Sequence, residues 1–375
     1  MTSRTAIYNC HVHTFTINSV PQRFVSPPMR LLLQVPFVRK NLLRWLRWLN
    51  PFSDRDLLER YANFLDISYL NSQREIFELL RGYYPLNTVF VVLPMDMDYM
   101  GAGKMPQPYE EQLAELEELC TSADYGEQII PFVAIDPRRP GYMDLLTHWV
   151  EEHNFRGIKL YPNLGFYPSS PALAPLWQYA ESRQLPIISH CSPGGIFQKR
   201  LPNPLERINP LTGSLLASVS PRKFARHFAD PDQYIPVLEK HPYLRLCLAH
   251  FGGDEEWVRY YQQPWLGVSG NRKAGITSER SWFSKIVDLL RSEKYPNLYT
   301  DIAYTVFNLT DNMPLLKVIL NDPLVRERVL FGSDYYMVEQ ERFEERRLSI
   351  LLRSVVEEDL FGKIANDNPR RFLGL

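Results

Sequence analysis

Eight short apolar runs, separated by amphipathic helical patterns, constrain the fold of this chain most strongly. The runs are rich in β-branched residues and are bounded by turn signals, which is typical of buried parallel strands. They cover residues 6–13, 88–93, 129–135, 157–161, 187–191, 244–250, 298–302 and 329–334. Helical patterns follow at 110–120, 142–152, 171–183, 234–240, 281–293 and 315–320, with a charged helix at 343–360. This alternation predicts an α/β fold, a (β/α)8 TIM barrel.

Three connections in this pattern are long. They cover residues 15–86 after strand 1, 192–230 after strand 5 and 251–278 after strand 6. All three leave the C-terminal ends of their strands, where TIM barrels assemble their active sites, so we expect them to form substrate-selecting walls. With no repeat or interdomain linker, the chain is predicted to be one barrel domain over residues 1–375. Its first insertion carries helical patterns at 38–49 and 54–81.

The charge balance, the lengths of the apolar runs and the cysteine spacing indicate which kinds of molecule this chain binds. The 42 Lys and Arg residues nearly balance the 43 Asp and Glu residues, which argues against binding to nucleic acid or an anionic membrane. An uninterrupted apolar stretch of about 18 residues, the length of a membrane-spanning helix, is absent from the sequence. The four cysteines have no paired spacing and the start of the chain has no secretory leader, which predicts a cytoplasmic protein. We therefore expect a small-molecule substrate, and the sequence leaves a homo-oligomer open.

Polar residues stand at the ends of several predicted strands. His11 and His13 are two residues apart, so on a strand their imidazoles point to the same face. The other members of this set are Lys159, His190, His250 and Asp334. Because the C-terminal ends of barrel strands converge on one rim, we expect these side chains to share a cavity. Imidazole and carboxylate groups are the ligands expected for zinc or a similar divalent ion.

Six segments carry a resemblance to a known family. They are residues 9–13 (NCHVH), 156–162 (RGIKLYP), 188–191 (ISHC), 248–253 (LAHFGG), 330–334 (LFGSD) and 366–375 (NDNPRRFLGL). Because these segments occur in this order, the chain resembles the amidohydrolase superfamily, and more narrowly its amidohydrolase-related branch, often called amidohydrolase 2. The resemblance runs from residue 7 to residue 375, although the insertion after strand 1 has no counterpart in it.

The resemblance implies a ligand set and catalytic roles. His11, His13, His190 and Asp334 would bind the metal, most readily zinc with manganese as the alternative. The resemblance favours one bound metal ion and leaves open whether a second ion binds. His250 would polarise the substrate or stabilise the attacking water, and Asp334 would also act as the general base.

Lys159 has three possible roles at this stage. In two-metal members of the superfamily, a carboxylated lysine at the end of strand 4 bridges the ions. Lys159 is alternatively a cation facing the substrate or its developing charge, or a partner in a structural ion pair.

The sequence therefore predicts a metal-dependent hydrolase in which metal-activated water attacks an amide, lactone or ester-like carbonyl. The alternative is a non-oxidative decarboxylase of an aromatic or unsaturated carboxylic acid that uses the same metal site. A third hypothesis is a barrel that binds ligands without catalysis.

Several neighbouring residues have weaker assignments. Strand alternation places Lys159 and Tyr161 on one face and turns Cys10 and Cys191 away from the metal. The basic cluster of residues 222–227 is predicted to be a solvated face rather than a grip for a substrate carboxylate. Asp301, Tyr304 and Tyr335 are pocket candidates without an assigned role.

Overall fold

The structure is a computed structural model of the 375-residue chain. It describes residues 6–24, 67–217, 220–262, 280–305, 309–336 and 344–375, together with isolated positions at 30–31, 35, 37–38 and 41. All eight predicted strands lie within these ranges. The predicted helix at 38–49, apart from positions 38 and 41, lies outside the described residues, and so does the part of the pattern at 54–81 that covers residues 54–66. Residues 73–81 of that pattern are helical as predicted.

Parallel strands form a closed barrel. They are β1 (Tyr8–Val12), β2 (Val89–Val92), β3 (Ile129–Pro131), β4 (Val133–Ile135), β5 (Ile158–Leu160), β6 (Ile187–His190), β7 (Leu246–Ala249), β8 (Leu298–Asp301) and β9 (Val329–Leu330). The orders β1-β2-β3 and β4-β5-β6-β7-β8-β9 are those of neighbouring strands in a barrel. The predicted strand at 129–135 is therefore present as two segments, β3 and β4.

Backbone hydrogen bonds join the two sheets at both of their edges. At one edge Phe132 donates to Val92 at 3.1 Å and Val133 donates to Gly157 at 3.0 Å, so the chain crosses directly from β3 to β4. At the other edge Cys10 donates to Phe331 and Asp334 donates to His11, both at 2.8 Å. The strand that carries Asp334 thus lies beside the strand that carries His11, and the predicted (β/α)8 class is confirmed.

Helices cover the outside of the barrel. They are α1 (Gln73–Arg81), α2 (Tyr109–Cys120), α3 (Tyr142–Glu151), α4 (Ala174–Arg183), α5 (Pro221–Ala229), α6 (Ile235–Lys240), α7 (Asp254–Gln262), α8 (Trp282–Arg291), α9 (Leu309–Ile319), α10 (Pro323–Arg326), α11 (Glu344–Val356), α12 (Glu358–Gly362) and α13 (Asn368–Leu373). The predicted helix at 343–360 is interrupted at Glu357, whose φ of 71° is incompatible with a continuous helix. None of the helices in the described ranges is long and apolar enough to cross a bilayer.

Two buried apolar layers follow from strand alternation. Side chains that point outward from the barrel pack against the helices, as Val92, Leu160 and Leu248 do. Side chains that point inward form a second cluster, which includes Val91, Ile188, Cys247 and Leu330 and is covered at the bottom by Phe372 of α13. The interior is therefore a packed core, which leaves the upper rim as the place for a cavity.

A β-bulge in β1 breaks the simple alternation. Asn9 pairs with Phe90 and Val12 pairs with Val92, so β1 has one residue more than β2 between the two pairs. Cys10 lies in the interior cluster, directly before His11, which also points inward. Cys10 is therefore packed in the interior core rather than on the outer face that strict alternation would give it, whereas Cys191 faces outward and its thiol donates to the carbonyl of Ala229. Bulges commonly redirect side chains next to functional sites.

Gly157 provides a test of this packing. A Cβ at Gly157 would lie 2.3–2.5 Å from ring atoms of the buried Phe132, where the chain crosses from β3 to β4. We expect Gly157→Ala to lower the free energy of unfolding by about 1–3 kcal/mol through overpacking. Gly362→Ala is the matched control, because nothing lies within 4 Å of its added Cβ. Urea denaturation measures both, and equal stabilities of the two variants would contradict this packing.

Candidate active site

A cavity of about 370 Å³ opens at the C-terminal rim of the barrel. It is lined by His11, His13, Phe15, Phe24, Met95, Tyr161, His190, Ser192, Gly195, Ile196, Phe197, Lys199, Arg222, His250, Tyr304 and Asp334. Five of these had been predicted to share one site, and Lys159 lies directly beneath them, buried against His11. The strand-end residues therefore converge as expected.

Asp301 orients His11. Its Oδ2 lies 2.8 Å from Nδ1 of His11, and its Oδ1 accepts hydrogen bonds from the backbone N–H groups of His250 and Ala303 at 2.8 and 3.1 Å. A carboxylate only accepts, so we assign the His11 proton to Nδ1. Nε2 of His11 then presents a lone pair, which faces Nζ of Lys159 at 3.1 Å.

His13 is held in the same tautomer by a backbone carbonyl. Its Nδ1 lies 2.7 Å from the carbonyl oxygen of Leu93 and therefore donates. Its Nε2 faces Oδ1 of Asp334 at 3.2 Å, and the same carboxylate oxygen is 3.6 Å from Nε2 of His11. Both Nε2 atoms and this oxygen are acceptors when the two rings are neutral. A cation between them would satisfy all three.

His250 and His190 also present an unprotonated nitrogen. Nδ1 of His250 donates to the carbonyl of Ala303 at 3.1 Å, which leaves Nε2 as an acceptor. His190 has the opposite tautomer, because its Nε2 lies 3.1 Å from the carbonyl oxygens of Ser192 and Gly194. Nδ1 of His190 is buried and has no hydrogen-bond partner in the described structure. A buried orphan acceptor of this kind is well suited to a metal ligand.

The donor set fits a divalent ion. Ligand atoms of His11, His13 and Asp334 all lie within 4.8 Å of one another, and so do those of His11, His250 and Asp301. His190 belongs to neither group, although its ring centre is 4.7 Å from that of His250. Neutral imidazoles with one carboxylate suit zinc, and the same donors accept manganese. The residues that would hold the ion are His11, His13, His190 and Asp334.

Burial keeps the imidazoles neutral. It lowers the pKa of His11, His190 and His250 below the ordinary value, and the charge of Lys159 lowers each of them further. Burial alone would raise the pKa of Asp334. Its contact with Nε2 of His13 and its proximity to His11 and His250 outweigh burial, so the pKa of Asp334 lies below its usual value. At neutral pH the site therefore offers unprotonated nitrogens and an ionised carboxylate.

Lys159 is fully buried at the floor of the cavity. Burial lowers its pKa to about 8, although the carboxylates of Asp301 and Asp334 oppose that shift. Nζ lies 5.8 Å from the ring centre of Tyr161, which confirms that the two side chains share a face of their strand. Lys159 is therefore a residue of the site itself, with its Nζ beside His11.

Backbone strain concentrates at this rim. Asp334, His250 and Tyr304 have φ values of 63°, 69° and 65°, and all three line the cavity. Non-glycine residues in the left-handed region cost about 1–3 kcal/mol each and persist where the surrounding structure fixes them, most often at functional sites. The strain turns these side chains toward the cavity where their strands end.

The loop after β6 holds His190 from one side, with contacts that sequence reasoning missed. Tyr161 stacks on the His190 ring at 4.1 Å, and its hydroxyl accepts a hydrogen bond from the backbone N–H of Ile196 at 3.0 Å. Asn163 donates to the carbonyls of Ser192 and Gly194, which also accept from His190. A Cβ at Gly195 would lie 2.4 Å from the Tyr161 hydroxyl, so this close approach requires glycine.

The weaker sequence assignments have mixed outcomes. Tyr304 lines the cavity, whereas Asp301 lies beneath it and Tyr335 contributes a carbonyl that accepts from the N–H of His13. Arg222 and Lys223 are exposed, as predicted for a solvated face, and Arg222 also borders the cavity. Arg226, in the same cluster, instead pairs with Glu256 at 3.0 Å.

A family model described as amidohydrolase matches residues 100–375. The chain belongs to the amidohydrolase family. It is therefore an enzyme of a family that acts on small molecules, and the catalytic hypothesis is preferred over a barrel that only binds ligands. No curated protein matches the sequence significantly.

Solved structures share the fold at low sequence identity. An uncharacterized TIM-barrel protein from Bordetella bronchiseptica is 15% identical, with a TM-score of 0.56 and 98% of each chain covered. A dihydroxybenzoic acid decarboxylase from Polaromonas sp., with bound manganese and 2-nitroresorcinol, is 15% identical, with a TM-score of 0.54 over 99% of this chain and 97% of that one. A probable 2-pyrone-4,6-dicarboxylic acid hydrolase from Acinetobacter baumannii is 11% identical, with a TM-score of 0.54 over 98% and 99%. At this level of identity, these likenesses show the fold and not a particular reaction.

The role of Asp301 can be tested through metal affinity. Asp301→Asn removes the acceptor that fixes the proton on Nδ1 of His11, so the ring can present the wrong nitrogen to the ion. We expect a 10–100-fold loss of affinity for Zn²⁺ or Mn²⁺, the usual cost of losing such a partner. Asp230→Asn is the control, because that carboxylate pairs with Lys285 outside the cavity. Unchanged affinity in Asp301→Asn, measured by competition with a chelator, would contradict the assignment.

Proposed function

We propose that this amidohydrolase hydrolyses an amide, lactone or ester-like carbonyl in a small molecule that carries a carboxylate. The ion is proposed to bind to His11, His13, His190 and Asp334. The observation that carries the proposal is the set of unprotonated nitrogens, each fixed by a partner on its other nitrogen, around an ionised Asp334. When bound, a divalent ion supplies Lewis acidity and lowers the pKa of a coordinated water to about 7.

Asp334 is proposed to be the general base. Its carboxylate is ionised despite burial, and the strained backbone fixes its direction. It would take the proton from water and deliver it to the leaving group. His250 would assist by accepting a hydrogen bond from the attacking water, because its Nδ1 proton is committed to Ala303 and its Nε2 has no proton to donate. Of the two roles implied for His250, the tautomer thus favours the water contact.

Lys159 is proposed to be a cation that stabilises negative charge developing on the substrate. Its Nζ approaches His11 from below and lies near Asp301 and Asp334, whose charges oppose its deprotonation. A carbamate that bridges two ions is the competing role. Two ions per chain, lost together in Lys159→Met, would favour the carbamate.

The upper wall of the cavity supports an anionic substrate. Nζ of Lys199 lies 4.1 Å from the ring centre of Phe197 and 5.2 Å from that of Phe24. Burial and the charge of Arg222 lower the pKa of Lys199, so the two cations are close together. Neither forms an ion pair with a carboxylate among the described residues. A substrate carboxylate would complete this pair, and the aromatic rings suit an unsaturated or aromatic body.

Decarboxylation is the second candidate, because the same cavity accepts an aromatic acid in the reverse orientation. The carboxylate would then face the metal rather than Lys199 and Arg222. Asp334 would protonate carbon instead of moving a proton from water.

Product analysis tests the proposal. The metal-loaded enzyme is incubated with aromatic or unsaturated carboxylic acids that carry a lactone, amide or ester, and separately with hydroxybenzoates. We expect ring-opened or cleaved acids from the first group, with turnover reduced about 10²–10⁴-fold in Asp334→Asn, the usual contribution of a general base. Asp144→Asn, an exposed aspartate on α3, is the control. Release of carbon dioxide from hydroxybenzoates, without hydrolysis, would establish the decarboxylase instead.

The anion subsite makes a separate prediction. Arg222→Ala and Lys199→Ala each remove a charge-assisted hydrogen bond worth about 1.5–3 kcal/mol. We expect KM for the anionic substrate to rise about ten-fold or more, with kcat little changed. Lys223→Ala is the matched control, because Lys223 neighbours Arg222 without lining the cavity. An equal KM increase for an uncharged analogue would contradict a carboxylate contact.

A further inference from the structure

Two histidines approach each other on the outer surface of the barrel, outside the catalytic cavity. His148 lies in the last turn of α3, and His153 follows the end of that helix. Their ring centres are 4.5 Å apart and their Nε2 atoms are 3.1 Å apart. The cavity at the catalytic rim includes neither residue.

Carboxylates fix the tautomers of both rings. Nδ1 of His153 lies 2.6 Å from Oε1 of Glu117 on α2, and Nδ1 of His148 lies 3.1 Å from Oε2 of Glu152. Because a carboxylate only accepts, both protons belong on Nδ1. Two Nε2 lone pairs then face each other at 3.1 Å. That arrangement is repulsive unless a cation or a proton lies between them.

The surroundings favour a cation. Two carboxylates flank the two imidazoles, and the helices α2 and α3 both end here, at Cys120 and Glu151. Helix C-termini carry partial negative charge and stabilise cations. Zn²⁺ binds imidazole at about 2.0–2.1 Å, so two tetrahedral ligands lie about 3.3 Å apart, close to the observed separation. An imidazole whose other nitrogen donates to a carboxylate is the usual arrangement at zinc.

We propose that His148 and His153 bind one divalent transition-metal ion, zinc by the chemistry of the donors, through their Nε2 atoms. Ligand atoms of His148, Glu152 and His153 all lie within 4.8 Å of one another, and Glu152 orients His148 through its Nδ1. Glu117 orients His153 from the neighbouring helix α2. The ion ties the end of α3 to the segment that follows it, and the site is independent of the proposed reaction.

Metal uptake by the holoenzyme tests the site. The enzyme, with its catalytic site saturated, is equilibrated with Zn²⁺, separated from free ion and analysed for zinc per chain. We expect one further equivalent in the wild type, and its loss in His148→Gln and in His153→Gln without loss of activity. His227→Gln is the matched control, because His227 is a half-buried histidine outside both sites. No further zinc in the wild type, or full uptake in both variants, would overturn the proposal.

A second readout separates an ion from a shared proton. Zinc bound to His148 and His153 in the folded state stabilises that state by mass action, so added Zn²⁺ should raise Tm in the wild type and in His227→Gln. His148→Gln should show no such rise. Glu117→Gln should retain zinc with affinity reduced about 10–100-fold, because only the orienting carboxylate is lost. A wild-type Tm that does not respond to Zn²⁺ would mean that the two rings share a proton only.

Discussion

The buried carboxylate of Asp301 is the interaction on which the catalytic end of the barrel depends. An ionised carboxylate without water is costly unless its oxygens are fully hydrogen-bonded. Here it accepts from His11, from the backbone N–H groups of His250 and Ala303, and from the thiol of Cys247 at 3.7 Å. These donors belong to β1, the β7 region and the β8 region. One side chain therefore fixes the relative position of three strand ends and the tautomer of a proposed metal ligand.

The barrel strands and the insertions supply different parts of the site. Strand ends supply the proposed metal ligands and the base, and the packed interior beneath them keeps their positions rigid. The first two insertions supply residues of the upper wall, Phe24 from the first and Phe197, Lys199 and Arg222 from the second. The proposed reaction chemistry thus rests on the geometry of the barrel rim, whereas the proposed substrate contacts of the upper wall lie on segments between the strands.

Much of this arrangement was predictable from the sequence, because strand periodicity is a local property and barrel topology then determines where the strand ends meet. Apolar runs gave the eight strands, and their C-terminal ends brought His11, His13, Lys159, His190, His250 and Asp334 together. The bulge in β1 was not predictable, because residues 9–13 contain no sequence signal for an extra residue in the strand. The bulge places Cys10 in the barrel interior. The role of Asp301 depends on contacts 290 residues apart in sequence. Arg222 is exposed as predicted, but its place at the cavity could not be read from the sequence, because a charged cluster has the same pattern whether it faces bulk water or a cavity mouth.

The central claim is that the nitrogens left unprotonated by this network bind a single divalent ion. Anomalous diffraction at the zinc or manganese edge, on crystals of metal-loaded enzyme, locates such an ion directly. We expect one strong peak at the rim, within bonding distance of Nε2 of His11 and His13, Nδ1 of His190 and a carboxylate oxygen of Asp334. A fully loaded crystal with no peak among these atoms, or with the ion bound elsewhere in the cavity, would contradict it.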